Sequence, residues 1–239
     1  MPKVSINILT KDRNQFLKKA LDSVASQTLT DYEVIVIDDG SSLPVLKDKL
    51  DVKILRHDSS LGISKSRQEA LLESQGEYIA VLDDDDEWID PDKLKKQVEF
   101  LDNHRDYVLV GGGIQISNSK SQISKFRPND DQQIRKTMLL RNNFFTSSVM
   151  FRKSSAIQAG GFVADGDDFA EDYDLWLRLG NVGKMRNFPL PFARYRVPNY
   201  NKQRYKAFLA KQLRLIYREK FNYPLFWLAN LLLKSRLLL

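Results

Sequence analysis

The sequence contains no cysteine. Disulfides, thiolate metal sites and a cysteine nucleophile are therefore excluded, and a reducing, cytosolic setting fits. Histidine is scarce too: there are two, His57 and His104, and both read as surface or loop residues. Long apolar runs are missing, since no segment reaches the roughly 20 apolar residues that span a bilayer. The opening MPKVSINILTKDRN has a short, interrupted apolar stretch and does not read as a secretion signal. Internal repeats and low-complexity tracts are absent.

What is present is ordinary globular material. The chain has 239 residues, 42% of them hydrophobic and 28% charged, enough for one generous domain or a domain with an appended segment. The formal net charge of +6 hides an asymmetry. From 184 to 239 there are 13 Lys and Arg against one acid, Glu219, whereas residues 1–183 hold 24 basic and 30 acidic residues. An acidic body with a basic tail predicts a tail that faces something anionic.

The first half alternates between two hydrophobic periods. VSINILT (4–10), EVIVID (33–38), VKILR (52–56), YIAVL (78–82) and YVLVGGGIQI (107–116) read as strands. Segments 14–27 and 62–74 read as helices, and a short helix is expected after Pro44. Asp90 and Pro91 read as N-cap and first residue of another. Nearly all-apolar strands imply a sheet covered on both faces, an α/β architecture. Beyond 140, the pattern predicts a strand, a short helix and a glycine turn over 142–162, then helices over 171–180 and 201–220.

Polar clusters fall at the ends of three of these strands: Thr10 to Asp12, Asp38 and Asp39, and the tetrad Asp83 to Asp86. Ligands of open α/β sheets sit beyond the carboxyl ends of the strands. Four adjacent carboxylates repel one another unless a cation neutralises them, and Mg²⁺ and Mn²⁺ prefer such hard oxygen donors. On an extended segment Asp83 and Asp85 point one way and Asp84 the other. The plainer reading is a solvated acidic turn capping the next helix.

Four motifs in order, VSINILTKDRNQFLKKALDSVASQTLTDYEVIVIDDGSS, LGISKSRQEALLESQGEYIAVLDDDDEW, GGF and EDYDLWLRL, resemble the inverting GT-A fold glycosyltransferases of the large bacterial polysaccharide and lipopolysaccharide sugar transferase family, glycosyltransferase family 2. The resemblance covers roughly 3–196. It implies a Rossmann-like, mostly parallel sheet flanked by helices over 1–200, followed by a basic helical extension over 201–239.

By position, Thr10 and Asp12 resemble the loop that holds the nucleotide, Asp39 the residue that hydrogen-bonds the base, and Arg67 a basic helix residue facing the nucleotide. Asp83-Asp84-Asp85 resembles the family's D-x-D element, with Asp85 as direct metal ligand and Asp83 nearer the ribose or the metal's water shell. Glu171-Asp172 matches the catalytic-base motif, with Asp172 favoured over Glu171. The implied cofactor is Mn²⁺ or Mg²⁺, and the implied partners are a nucleotide-sugar donor, UDP-sugar favoured, and a glycan or lipid-linked acceptor.

The chain departs from the family pattern at Lys11, where an aromatic residue is usual, at Asp12, where Asn is usual, and at Pro198, where many relatives carry His. The Q-x-x-R-W motif of processive synthases is missing, which implies transfer of a single sugar.

Two readings stand open for NYPLFWLANLLLKSRLLL (222–239): a helix packed on the body or on a second copy in a homodimer, or an interfacial anchor at the inner membrane face. Nucleic acid is disfavoured, because exposed aromatics do not alternate with the basic residues. A nucleotidyltransferase would show a glycine-rich phosphate loop near the first strand, and TKDRNQ has no glycine. A non-catalytic module binding sugar nucleotide or membrane is the remaining alternative.

Overall fold

The computed structural model describes residues 1–45, 50–117, 122–163, 170–196, 202–220 and 222–238. The helix expected after Pro44, the boundary candidate at 196–201 and Pro198 lie largely or wholly outside them.

In chain order the elements are β1 (Val4–Thr10), α1 (Asn14–Ala25), β2 (Tyr32–Asp38), β3 (Lys53–Arg56), α2 (Ile63–Glu73), β4 (Tyr78–Asp83), β5 (Glu87–Trp88), α3 (Lys93–Asn103), β6 (Tyr107–Ser117), β7 (Gln122–Lys125) and α4 (Asp131–Thr137). A 3₁₀ turn (Thr146–Ser148) precedes β8 (Met150–Arg152) and α5 (Lys153–Gln158). The chain ends with α6 (Glu171–Gly180), β9 (Lys184–Tyr195), α7 (Lys202–Arg218) and α8 (Phe226–Leu238).

The strands form one sheet in the order β3-β2-β1-β4-β8-β6-β9-β5, with β7 paired to β6. Strands β3, β2, β1 and β4 run parallel. Beyond β4 the sheet turns mixed: β8 is antiparallel to both β4 and β6, and β9 is parallel to β6. The parallel strands alternate their apolar side chains between two faces. Val4, Ile6 and Ile8 of β1 pack with Leu17, Leu21 and Val24 of α1 and Leu94, Val98 and Leu101 of α3. Ile79 and Val81 of β4 pack on the other face with Trp176 and its neighbours in α6. Such strands are apolar at nearly every position because neither face meets water.

Register sets the site. Thr10 lies opposite Asp38, and Leu9 opposite Asp83, so β1, β2 and β4 end at one rim. There the strands release their polar clusters side by side.

Two expectations are corrected. The helix after Asp90 begins at Lys93. Asp90 instead accepts a bond from the Asp92 amide at 2.9 Å and pairs with Lys96 at 2.6 Å, so its carboxylate shapes the turn ahead of the helix. His57, read as a surface or loop residue, lies in the loop after β3 but is buried, at 9% accessibility, because its ring nitrogens meet two carboxylates. His104 is exposed and stacks on Phe100.

The C-terminal hairpin packs on the body. Leu209, Ile216, Tyr223, Phe226, Ala229 and Leu233 join the cluster around Trp176. The Tyr223 hydroxyl donates to the Leu177 carbonyl at 2.7 Å, and Asp174, buried, pairs with both Arg178 and Arg218. The opposite face of α8 is open, with Trp227 78% and Leu231 67% exposed. Among the described residues no helix is long and apolar enough to cross a membrane.

Candidate active site

A cleft of about 620 Å³ opens at the rim where β1, β2 and β4 end. Its walls include Thr10, Asp12, Asp39, Arg67, Asp83, Asp84, Asp85, Glu171 and Asp172, the nine residues that the sequence singled out. The last residue of β1 and the loop after it supply the first two, the turn after β2 the third, and α2 the arginine. The end of β4 supplies Asp83, the turn after it Asp84 and Asp85, and the first turn of α6 the last two.

The acids do not behave as a free cluster. The chain turns after Asp83, with the Asp86 amide bonded to the Asp83 carbonyl at 3.1 Å. Asp84 points inward, accepting from the Thr10 hydroxyl at 2.7 Å and from Arg13 at 3.0 Å. Asp85 stands 3.4 Å from Arg13. Burial holds the carboxyls of both above their ordinary value, Arg13 pulling the other way. Asp86 is buried behind them, accepting from the Ser147 hydroxyl and the Arg196 amide; burial and the charge of Asp83 push its carboxyl well up.

Arg67 bridges the two sides of the cleft. Its guanidinium donates to Asp83 at 2.8 Å and to Glu171 at 3.0 Å. It is buried, so each carboxylate gains a partner that water does not screen. Glu171 remains above the ordinary carboxylate range, because burial and the neighbouring Asp172 outweigh Arg67. Asp172 has different company. It accepts from the Thr146 hydroxyl at 2.5 Å, from the Asn142 amide at 3.3 Å and from the Tyr173 backbone at 2.6 Å. These are neutral donors that orient a carboxylate without neutralising it.

The turn after β2 is tightly built. Asp38, fully buried, accepts the Ser41 amide at 2.9 Å. Gly40 has φ of +75°, and an added Cβ would lie 2.7 Å from the Ser60 nitrogen. Asp39 faces the 57–62 segment. It accepts from His57, from the Ser60 hydroxyl and from the amides of Leu61 and Gly62. Burial would raise its carboxyl, yet these donors hold it at about 2. Asp12, with φ of 55°, accepts the Ser42 amide at 2.7 Å and so ties the first loop to the second.

The donor set suits a hard divalent ion in part. Among the described residues no three His, Asp or Glu side chains converge as a complete metal site. Seven carboxylates line the cleft against Arg13, Arg67 and Lys11, a surplus of negative charge. One or two carboxylates completed by water and substrate phosphate is the arrangement Mg²⁺-type ions use, and Asp83 and Asp85 fit it.

Sequence reasoning missed Arg13, Asn142, Thr146 and the pair His57 and Glu69. Arg13 stands three residues from Thr10, a signal that was available. Nothing in NNFFTSS marks Thr146, which reaches Asp172 only because the 3₁₀ turn lies across the rim.

A half-parallel, half-mixed sheet carrying this acidic rim defines the class: the GT-A fold of glycosyltransferases. S. aureus TarS superimposes with a TM-score of 0.69 at 19% identity, covering 99% of this chain and 70% of that one. The mannosyltransferase PcManGT from Pyrobaculum calidifontis, solved with GDP-Man and Mn²⁺, gives 0.68 at 17%, over 99% and 70%.

The model of glycosyl transferase family 2 matches residues 5–159, and the chain belongs to that family. A glycosyltransferase of Haemophilus influenzae is 30% identical over 197 residues, spanning 78% of this chain and 72% of that protein. The amylovoran biosynthesis glycosyltransferase AmsE of Erwinia amylovora is 28% identical, over 75% and 70%. The O-antigen biosynthesis glycosyltransferase WbnJ of Escherichia coli is 27% identical, over 74% and 72%.

Proposed function

We propose that the protein transfers a single hexose, with inversion, from a nucleotide-sugar donor to a hydroxyl of a glycan or lipid-linked glycan during polysaccharide assembly. A UDP-sugar is the favoured donor. The observation that carries this reading is the meeting of Asp39, Arg67, Asp83, Asp85 and Asp172 in one cleft. The names of AmsE and WbnJ support a polysaccharide acceptor. TarS in complex with UDP-GlcNAc supports the donor class.

In this reading Thr10, Asp12 and Asp39 line the nucleoside end of the cleft. Asp172 takes the proton of the acceptor hydroxyl as its oxygen attacks the anomeric carbon. The bond from that carbon to the diphosphate breaks, and the nucleoside diphosphate leaves with the electron pair. Thr146 and Asn142 hold Asp172 in position, and Arg67 keeps Glu171 from approaching the attacking oxygen. A divalent ion, Mn²⁺ or Mg²⁺, held by Asp85 and Asp83, supplies positive charge for the departing diphosphate when bound.

Glu171 is the rival base, favoured by its raised carboxyl, since a base works best near the operating pH. Two substitutions separate them. Asp172→Asn lowers transfer by roughly 10²–10⁴ with donor binding retained; Glu171→Gln reduces it less. The opposite ranking reassigns the base. Transfer unchanged in both variants overturns this mechanism. The donor is found by heating the protein with a panel of nucleotide sugars with and without Mn²⁺, because binding raises the melting temperature by mass action.

The exposed face of α8, beside a basic α7, supports peripheral attachment to the cytoplasmic face of a membrane, where a lipid-linked acceptor resides.

A further inference from the structure

His57 has no part in the chemistry above, yet it is built into the wall beside the proposed nucleoside end. Its Nδ1 lies 2.8 Å from Asp39 Oδ1, and its Nε2 lies 2.6 Å from Glu69 Oε2. The ring side chain is 8% exposed. A neutral imidazole has one N–H, so one of the two carboxylates would face a lone pair across a hydrogen-bond distance. Only the imidazolium donates to both. The geometry therefore stores a proton between the turn after β2, which carries Asp39, and α2, which carries Glu69.

Three further bonds run from the segment after His57 to the same carboxylate. The Ser60 hydroxyl lies 2.6 Å from Asp39 Oδ2, the Leu61 amide 2.7 Å from Oδ1, and the Gly62 amide 3.2 Å from Oδ2. Asp39 is thus held by four donors, and one of them is charged. Ser60, Gly62 and Ile63 also line the cleft, so the segment that His57 anchors forms part of the wall a nucleoside would touch.

We infer that His57 is a positioning residue: as an imidazolium it clamps Asp39 to Glu69 and holds the 57–62 segment in the shape that receives the nucleotide, so loss of its proton weakens nucleotide binding. This rests on the reading of the cleft as the nucleotide site. The charged and titratable groups facing the ring are Asp39 from the turn after β2 and Glu69 from α2. Burial disfavours the charged ring, but these two carboxylates outweigh it and raise its pKa above the ordinary value. The sign follows: binding is strong below the raised midpoint of His57 and falls as pH rises through it.

The test uses the full chain with UDP, and GDP in parallel, in Mg²⁺. Affinity is measured by calorimetry from pH 6 to 8.5, and the ring protons are followed by NMR. With two histidines in the chain, the His57→Gln spectrum assigns both. In the native protein, UDP affinity is expected to fall at least about fivefold, the low end of ordinary site-to-site coupling, with the NMR midpoint of His57.

His57→Gln carries the same diphosphate ionisation and is expected to lack that inflection. Glu69→Gln keeps a hydrogen-bond partner but removes one charge, so it is expected to move the NMR midpoint and the affinity inflection to lower pH together. A purely structural histidine would not produce that paired shift. Affinity that is flat across the His57 titration, or an inflection that persists in His57→Gln, overturns the inference and leaves the nucleotide site standing. Failure of UDP and GDP to bind at any pH overturns both.

Discussion

Lys93 carries its amine into the core. It is fully buried, its Nζ 2.8 Å from Gln97 Oε1 and 4.1 Å from the centre of the Trp88 ring. Burial pulls its pKa well below the ordinary 10.5, with Asp90 opposing weakly. The unfolded chain therefore binds a proton that the folded chain resists, and stability rises with pH up to about 10.5. Lys93→Met is expected to raise the melting temperature at pH 7, by about 2–4 °C per kcal/mol gained, with the gain shrinking toward pH 10. Thermal unfolding at several pH values checks this. Hydropathy is blind to Lys93 and to His57, because a polar side chain is buried only when the fold brings it a partner. Sequence reading made His57 a surface or loop residue and missed its burial for that reason.

At the scale of elements, the turn after β2 is the part whose geometry is least forgiving. Gly40 adopts a left-handed φ and lets the backbone pass against Ser59 and Ser60. A side chain there meets strain and a backbone clash together. Gly40→Ala is expected to cost about 1–3 kcal/mol and to weaken UDP binding, because the 57–62 segment is pushed off Asp39. Urea unfolding and calorimetry read the two effects separately. The strands feeding this rim were legible: β1 was read as observed, and β2 and β4 within a residue. Strand β9 was not. Its Pro189 and Pro191 and its charged positions argue against a strand, yet it pairs with β6 across register shifts between Gly111 and Ile114 that accommodate them. Local chemistry cannot announce an irregularity that a neighbouring strand supplies.

For the whole molecule, the charge asymmetry and the C-terminal hairpin belong together. One face of α8 is consumed by the core around Trp176, and the other presents Trp227, Leu228, Leu231 and Leu232. With Lys234 and Arg236 exposed on the same helix, this face suits the boundary of an anionic bilayer. The protein is expected to sediment with vesicles rich in anionic lipid and not with neutral ones, with binding weakened by salt. The double substitution Trp227→Ser and Leu231→Ser is expected to abolish it without lowering the melting temperature. Sedimentation velocity without lipid tests the competing occupant, a second copy: dimers lost in the same variant, with no vesicle binding, would reassign the face.

By itself, the order of residues determined the periodicities, the apolar strands, the acids at their ends and the uneven charge. These depend on neighbours a few positions away. Tertiary structure decided which charges meet. Arg67 between Asp83 and Glu171, Thr146 on Asp172, and His57 between Asp39 and Glu69 join elements distant in the chain. These contacts exist because strands, a 3₁₀ turn and two helices converge on one rim of the sheet. Solvent exclusion there makes the placement of a proton or a charge depend on its partners.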